Sequence, residues 1–202
     1  MRLSRLLLLC SALFLLPTAH AALITFDDAV SGATSFGFDG DGDGIDDVIF
    51  STADPSGFNT IGPGVNQQFI NEPGLEGTTL LGEDLRVDFL NGAIGPLGFG
   101  FAMSTSGNVV GAVSFSVFDA ANNLLSQVLA NSAQGTSSFT EGLVSTNFAG
   151  IAAYATFDFN SGAAGRYIID NFEGTFGSTE VPAPAGALLL VAFGLLLRRR
   201  AR

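Results

Sequence analysis

The sequence predicts an all-β protein, an antiparallel β-sandwich of the jelly-roll or lectin-like kind, and three observations carry that expectation. Short apolar segments with period-two alternation recur along residues 22–173. Glycine, asparagine, proline and serine turns separate them at intervals of roughly ten to twenty residues. Away from the two ends, no stretch keeps the three-four apolar spacing of a helix for a dozen residues.

The elements follow in order. ALITFDD (22–28) opens the domain, and DVIFS (47–51) follows an aspartate-glycine run. LRVDFLN (85–91) alternates Val87 and Phe89 with polar neighbours, and LGFGFAM (97–103) alternates Phe99 and Phe101 with glycines. VSFSVFD (113–119) is the clearest strand, with Val113, Phe115 and Val117 set against Ser114, Ser116 and Phe118. AAYATFDFN (152–160) and RYIIDNF (166–172) complete the set, VLANSAQG (128–135) is the one segment with a trace of helical spacing, and GTFGSTE (174–180) reads as a linker. No internal repeat is found, which argues against a propeller or an array.

Residues 1–21 read as a signal peptide: two arginines in MRLSR, an apolar run, and Ala19 and Ala21 in the small-x-small pattern that signal peptidase cuts. An uncleaved amino-terminal anchor is the alternative. At the other end Val181–Leu197 is uncharged and just long enough to span a bilayer, and Arg198, Arg199, Arg200 and Arg202 follow as a stop-transfer cluster. Those arginines keep that end cytoplasmic, so the body is expected on the far side of the inner membrane.

The body holds all nineteen acidic residues but only Arg86 and Arg166 of the basic ones, a net charge of −17, and lysine is absent. Such a surface repels phosphate backbones, which argues against nucleic acid and for a cation as partner. Seventeen of the nineteen phenylalanines lie there too, enough for a core despite the charge. Cleavage after Ala21 removes the lone cysteine and the lone histidine. That excludes Ser-His-Asp and Cys-His catalysis, Schiff-base lysines, His/Cys zinc sites and disulfides, and leaves carboxylate chemistry as the enzymatic option.

The run DGDGDGIDD (39–47) puts Asp39, Asp41, Asp43, Ile45 and Asp47 at positions 1, 3, 5, 7 and 9 of a loop with Gly44 at 6. Calcium takes six to eight hard oxygens, and alternate carboxylates in a tight loop, with the Ile45 carbonyl, supply them. Phe50 stands where an EF-hand has its glutamate, so this is not a regular EF-hand. The run resembles the calcium loops of thrombospondin-type and integrin-type repeats, which lead directly into a strand, as DVIFS does here. A solvated acidic turn is the plainer alternative, but five uncompensated carboxylates in nine residues repel one another. Asp170-Asn171 and Asp27-Asp28 read as turns or as supplementary ligands, Glu83, Asp84 and Asp88 as a solvated edge, and Arg86 and Arg166 as partners of carboxylates.

The carboxyl end, Val181-Pro182-Ala183-Pro184 before the apolar run and the arginines, resembles the PEP-CTERM sorting family of Gram-negative bacteria, with alanine where that family usually has glutamate. The resemblance implies recognition by an exosortase, loss of the helix, passage through the inner membrane, and delivery to the cell surface or a biofilm matrix rich in exopolysaccharide. A permanent anchor is the alternative. Pro182 and Pro184 favour an extended, accessible segment over it. Taken together, a non-enzymatic, calcium-stabilised structural or adhesive sandwich is expected. A calcium-dependent lectin-like module and a carboxylate-dependent glycan hydrolase or lyase are the other readings.

Overall fold

The computed structural model describes residues 20–62, 67–78, 84–135 and 138–177. Ala19, the Val181–Pro184 motif, the arginine cluster and both apolar end segments lie outside the described residues. Among the described residues there is no helix, and so none long and apolar enough to cross a membrane.

The described residues hold ten strands: β1 (His20–Ile24), β2 (Ser35–Phe38), β3 (Val48–Ser51), β4 (Leu75–Gly77), β5 (Leu85–Met103), β6 (Val109–Phe118), β7 (Leu124–Gln134), β8 (Thr140–Thr146), β9 (Ala152–Phe159) and β10 (Tyr167–Phe176). Every pairing is antiparallel. The all-β antiparallel sandwich is therefore the fold.

The two segments expected at 85–91 and 97–103 are one strand of 19 residues, β5. Its first half pairs with β3 and β9, and its second half with β10 and β8. The change of partners falls at Gly92, where φ is 77° and the register with β9 slips. A side chain at that φ is strained, so glycine suits the bend. Because β9 continues to β6, β6 to β7, and β7 to β8, the pairings close a circuit that returns to β5.

The inward residues of both layers are largely phenylalanine. Phe172 of β10 sits 5.1 Å from the Phe50 ring of β3, 6.0 Å from Phe99, 6.3 Å from Phe157 and 6.4 Å from Phe89. Phe99 and Phe157 both close on Phe115 of β6, at 5.1 and 4.8 Å. As the period-two pattern predicts, Val113, Phe115 and Val117 are wholly buried.

Two sequence expectations are corrected. VLANSAQG is strand, not helix, because residues 124–132 pair with β6 and Ala133 and Gln134 with β8, and two flanking ladders outweigh a faint helical spacing. Gly174–Phe176, expected as linker, continue β10. Phe176 stacks on Phe89 at 5.8 Å and leaves 4 % of its surface exposed. At the other end β1 already includes His20 and Ala21, opposite Phe176 and Thr175.

Phe172→Ala is expected to destabilise the fold by about 3–5 kcal/mol, since truncation opens a cavity lined by rings of three neighbouring strands. Urea denaturation should show a lower midpoint at an unchanged slope. A loss below about 1 kcal/mol would remove Phe172 from the centre of the core.

Candidate functional site

Three places gather polar side chains: the acidic loop before β3, a strap over the β10–β5–β8 face, and a groove at the ends of β6 and β7.

In the loop, the carboxylates of Asp39, Asp41 and Asp43 each bring an oxygen within 4.8 Å of the others. Gly42 and Gly44, both with positive φ, turn their amides onto Asp39, at 2.7 Å to Oδ1 and 2.8 Å to Oδ2. The Gly44 amide is the main reason the Asp39 carboxyl is held below the usual carboxylate range, with the Gly42 and Asp43 amides helping. The Asp43 amide donates to Asp41 Oδ1 and the Ile45 amide to Asp43 Oδ1. Donors are thus spent on one oxygen of Asp41 and of Asp43, and among the described residues no backbone amide reaches the second oxygen of either. Asp47 is turned the other way: it is buried, accepts from the Gly40 amide at 2.9 Å and from Asn91 Nδ2 at 3.1 Å, and ties the loop to β5. The Ile45 side chain is exposed. The structure gathers three of the five predicted ligands at their carboxylates and gives Asp47 an anchoring place.

The strap is the segment 67–73. Its carbonyl at Phe69 lies so close over Gly100 that a Cβ there would clash with backbone. Two buried acids hold it from opposite sides. Glu141 Oε2 of β8 accepts from the amides of Gln68 (2.7 Å) and Phe69 (2.9 Å), and Asp170 Oδ2 of β10 accepts from the Asn71 amide (2.7 Å). Ile70 seals a second small core with Ala102, Phe139 and Ile168. Asp170-Asn171, expected as a turn at a strand end, is a bulge inside β10, where Asn171 has φ 53° and donates from Nδ2 to the Phe69 carbonyl. Burial pushes the Asp170 carboxyl up to about 6, against the pull of the Asn71 and Asn171 amides and with a further push from Asp27.

Other acids are inside as well, which the sequence reading missed. Asp84, expected at a solvated edge, is buried and accepts from the Phe159 amide at 2.7 Å. Buried Glu76 takes the guanidinium of Arg166. Tyr167, enclosed beside Asp84, has its phenol pushed well above the usual range by burial and then by that carboxylate. Arg86 pairs with Asp88 at 2.6 Å, so both body arginines meet carboxylates as predicted. The guanidinium of Arg86 also lies 3.9 Å from the centre of the Tyr154 ring, while Phe118 stacks on Tyr154 at 4.9 Å. Because β9 runs between β5 and β6, these two neighbours reach the Tyr154 ring from different strands.

The groove, of about 460 Å³, lies between the start of β6, the end of β7, β8 and the strap. Asn108 and Asn131 line it with exposed side chains, and Ala133 and Glu141 pair opposite each other within it. Asn131 Oδ1 accepts from the Gly111 amide at 2.8 Å, and Asn108 Oδ1 from the Gln134 amide at 3.0 Å. No apolar periodicity marks these residues, so the sequence pattern held no signal for them.

No protein-family model matches the chain, and no curated protein matches it. Solved structures with similarity include a mutant of CBM29-2, a family 29 carbohydrate-binding module, at 12% identity over 83% of this chain and 99% of that one, with a TM-score of 0.37. The xylanase 10B CBM22-1–GH10 modules of Clostridium thermocellum, complexed with xylohexaose, give 12% identity, 75% and 27% coverage, and 0.41. The arabinose-bound MgGH51 α-L-arabinofuranosidase gives 12%, 78% and 26%, and 0.46. Scores this low transfer no ligand.

The Asp170 shift sets a pH dependence. Between about pH 4 and 6 the unfolded chain releases this proton while the folded chain keeps it, so stability falls as pH rises through that window and levels off above it. Asp39 and Asp119 have lowered values, and their contributions are lost only as pH falls through the ordinary carboxylate range. In chelator, the melting temperature is therefore expected to be higher at pH 5 than at pH 7, and Asp170→Asn should flatten that difference. A wild-type melting temperature that rises from pH 5 to pH 7 would contradict it.

Proposed function

We propose that this chain is an exported, non-catalytic β-sandwich, stabilised by calcium, that serves at the cell surface or in the extracellular matrix as a structural component associated with polysaccharide. The observation that carries the calcium part is the meeting of Asp39, Asp41 and Asp43 within 4.8 Å in a loop that leads directly into β3. An all-oxygen donor set of this charge suits a hard cation. It also gives the crowded carboxylates of Asp39, Asp41 and Asp43 a counter-charge, without which their repulsion works against the fold.

Polysaccharide is preferred over nucleic acid or anionic lipid as the associated polymer, because a body of net −17 is repelled by phosphate. Catalysis is not proposed. The buried carboxylates of Asp84, Glu141 and Asp170 each accept backbone amides, which is a structural use of an acid. Export and sorting rest on the sequence of the two ends: signal peptidase cutting after Ala21, exosortase acting near Val181–Pro184, and Arg198–Arg202 halting translocation.

Calcium in the millimolar range is expected to raise the melting temperature of the full-length chain in detergent relative to chelator. A ligand that binds only the folded state adds about 2.7 kcal/mol at a hundredfold excess over Kd. Asp41→Ala with Asp43→Ala should abolish the difference, and an unchanged melting temperature in calcium would return the loop to a solvated turn.

The sorting reading has its own measurement. Intact mass spectrometry of the protein from the host's surface fraction is expected to show a chain lacking residues 1–21 and residues 185–202. A surface form that still carries residues 185–202 would make the tail an ordinary anchor.

A further inference from the structure

We infer that the groove formed by Asn108, Asn131, Ala133 and Glu141 is a binding site for a neutral glycan, a site that rests on the polysaccharide reading above and gives it a location and a ligand class. Its volume, about 460 Å³, falls within the usual range of ligand pockets.

The side-chain chemistry selects the ligand. Each asparagine has its Oδ1 committed to a backbone amide, Gly111 for Asn131 and Gln134 for Asn108. This fixes the amide orientation and leaves Nδ2 as a donor with no partner among the described residues. Glu141 commits Oε2 to the two strap amides of Gln68 and Phe69, and among the described residues Oε1 takes no hydrogen bond. The groove thus presents two fixed donors and a carboxylate acceptor. Adjacent hydroxyls on one ring, each both donor and acceptor, match that set.

Register brings these groups together. Ala133 lies directly opposite Glu141, and Asn131 is two residues further along β7 on the same face, about 7–8 Å away on the diagonal. Asn108 is one residue before the Val109–Ser132 pair and so flanks Ala133 from the other side. The methyl of Ala133 is all that occupies the middle of this row, which is why there is room. Apolar surface borders the groove at Phe69 and at Val110, the latter 81 % exposed, and can face the C–H side of a sugar ring.

Charge narrows the class to neutral glycans. The body is −17, and the arginines within it are already held by Asp88 and Glu76, so a uronate or sulfated chain would meet uncompensated repulsion.

The test uses the full-length chain in detergent with cellohexaose, mannohexaose, xylohexaose and a hexauronate as probes, read by titration calorimetry. Saturable binding of at least one neutral hexasaccharide is expected, with none of the hexauronate. Asn108→Asp with Asn131→Asp keeps both backbone acceptors, so the melting temperature should hold while affinity drops tenfold or more. Ala133→Phe touches no hydrogen bond and should abolish binding by filling the groove, which covers the case in which the double variant is destabilised. If the wild type binds a neutral hexasaccharide and both variants bind it equally well, the groove is overturned and the polysaccharide reading stands. If the wild type binds none of the neutral probes, or binds the hexauronate as tightly, both the groove and its ligand class are wrong.

Discussion

β5 is one continuous strand shared by two layers, and the other pairings of the body depend on where it crosses between them. Its first half recruits β3 and β9, its second half β8 and β10, and the ladder closes through β6 and β7. A circuit of this kind leaves few free strand edges, which is how an antiparallel fold avoids pairing with its neighbours. The crossing at Gly92 also fixes which rings meet. It brings Phe89 of the first half and Phe99 of the second against the same Phe172. Cys10 is the lone cysteine, so the chain can form no internal disulfide, and such contacts take the place of covalent staples.

The strand content was legible because period-two alternation is local: Val113, Phe115 and Val117 announce their burial without reference to anything else. What could not be read was non-local. Nothing near residue 92 says that two apolar segments are one strand, because the information lies in the partners on either side. VLANSAQG looked helical in isolation and becomes strand only between β6 and β8. The acidic loop was legible in the same local way for Asp39, Asp41 and Asp43, whose geometry is set within five residues. Asp47 was not, since its place depends on Asn91, forty-four residues away. Asn108, Asn131 and Glu141 come from the start of β6, from β7 and from β8 and carry no pattern of their own, so only strand pairing makes them neighbours.

An acid-rich chain would be expected to keep its carboxylates outside, yet Asp47, Asp54, Asp84, Glu76, Glu141 and Asp170 are buried. Burying a carboxylate is costly unless its oxygens are hydrogen-bonded. Here the donors for Asp47, Asp84, Glu141 and Asp170 include backbone amides of loops, strap or strand. The acids therefore hold irregular backbone in place, where a chain richer in disulfides would use cystine. This also separates two populations of aspartate: buried ones whose oxygens accept from the backbone, and Asp41 and Asp43, whose side chains are exposed.

The position of β10 has a mechanical consequence. It is the last strand among the described residues, and it lies between β5 on one side and β4 and β1 on the other. A pull delivered through residue 177 acts along the axis of β10, so its hydrogen bonds to both neighbours are strained at once, in shear, instead of being peeled open one after another. A domain pulled through residue 177 would yield as a unit, at a force set by the whole ladder and not by its weakest rung.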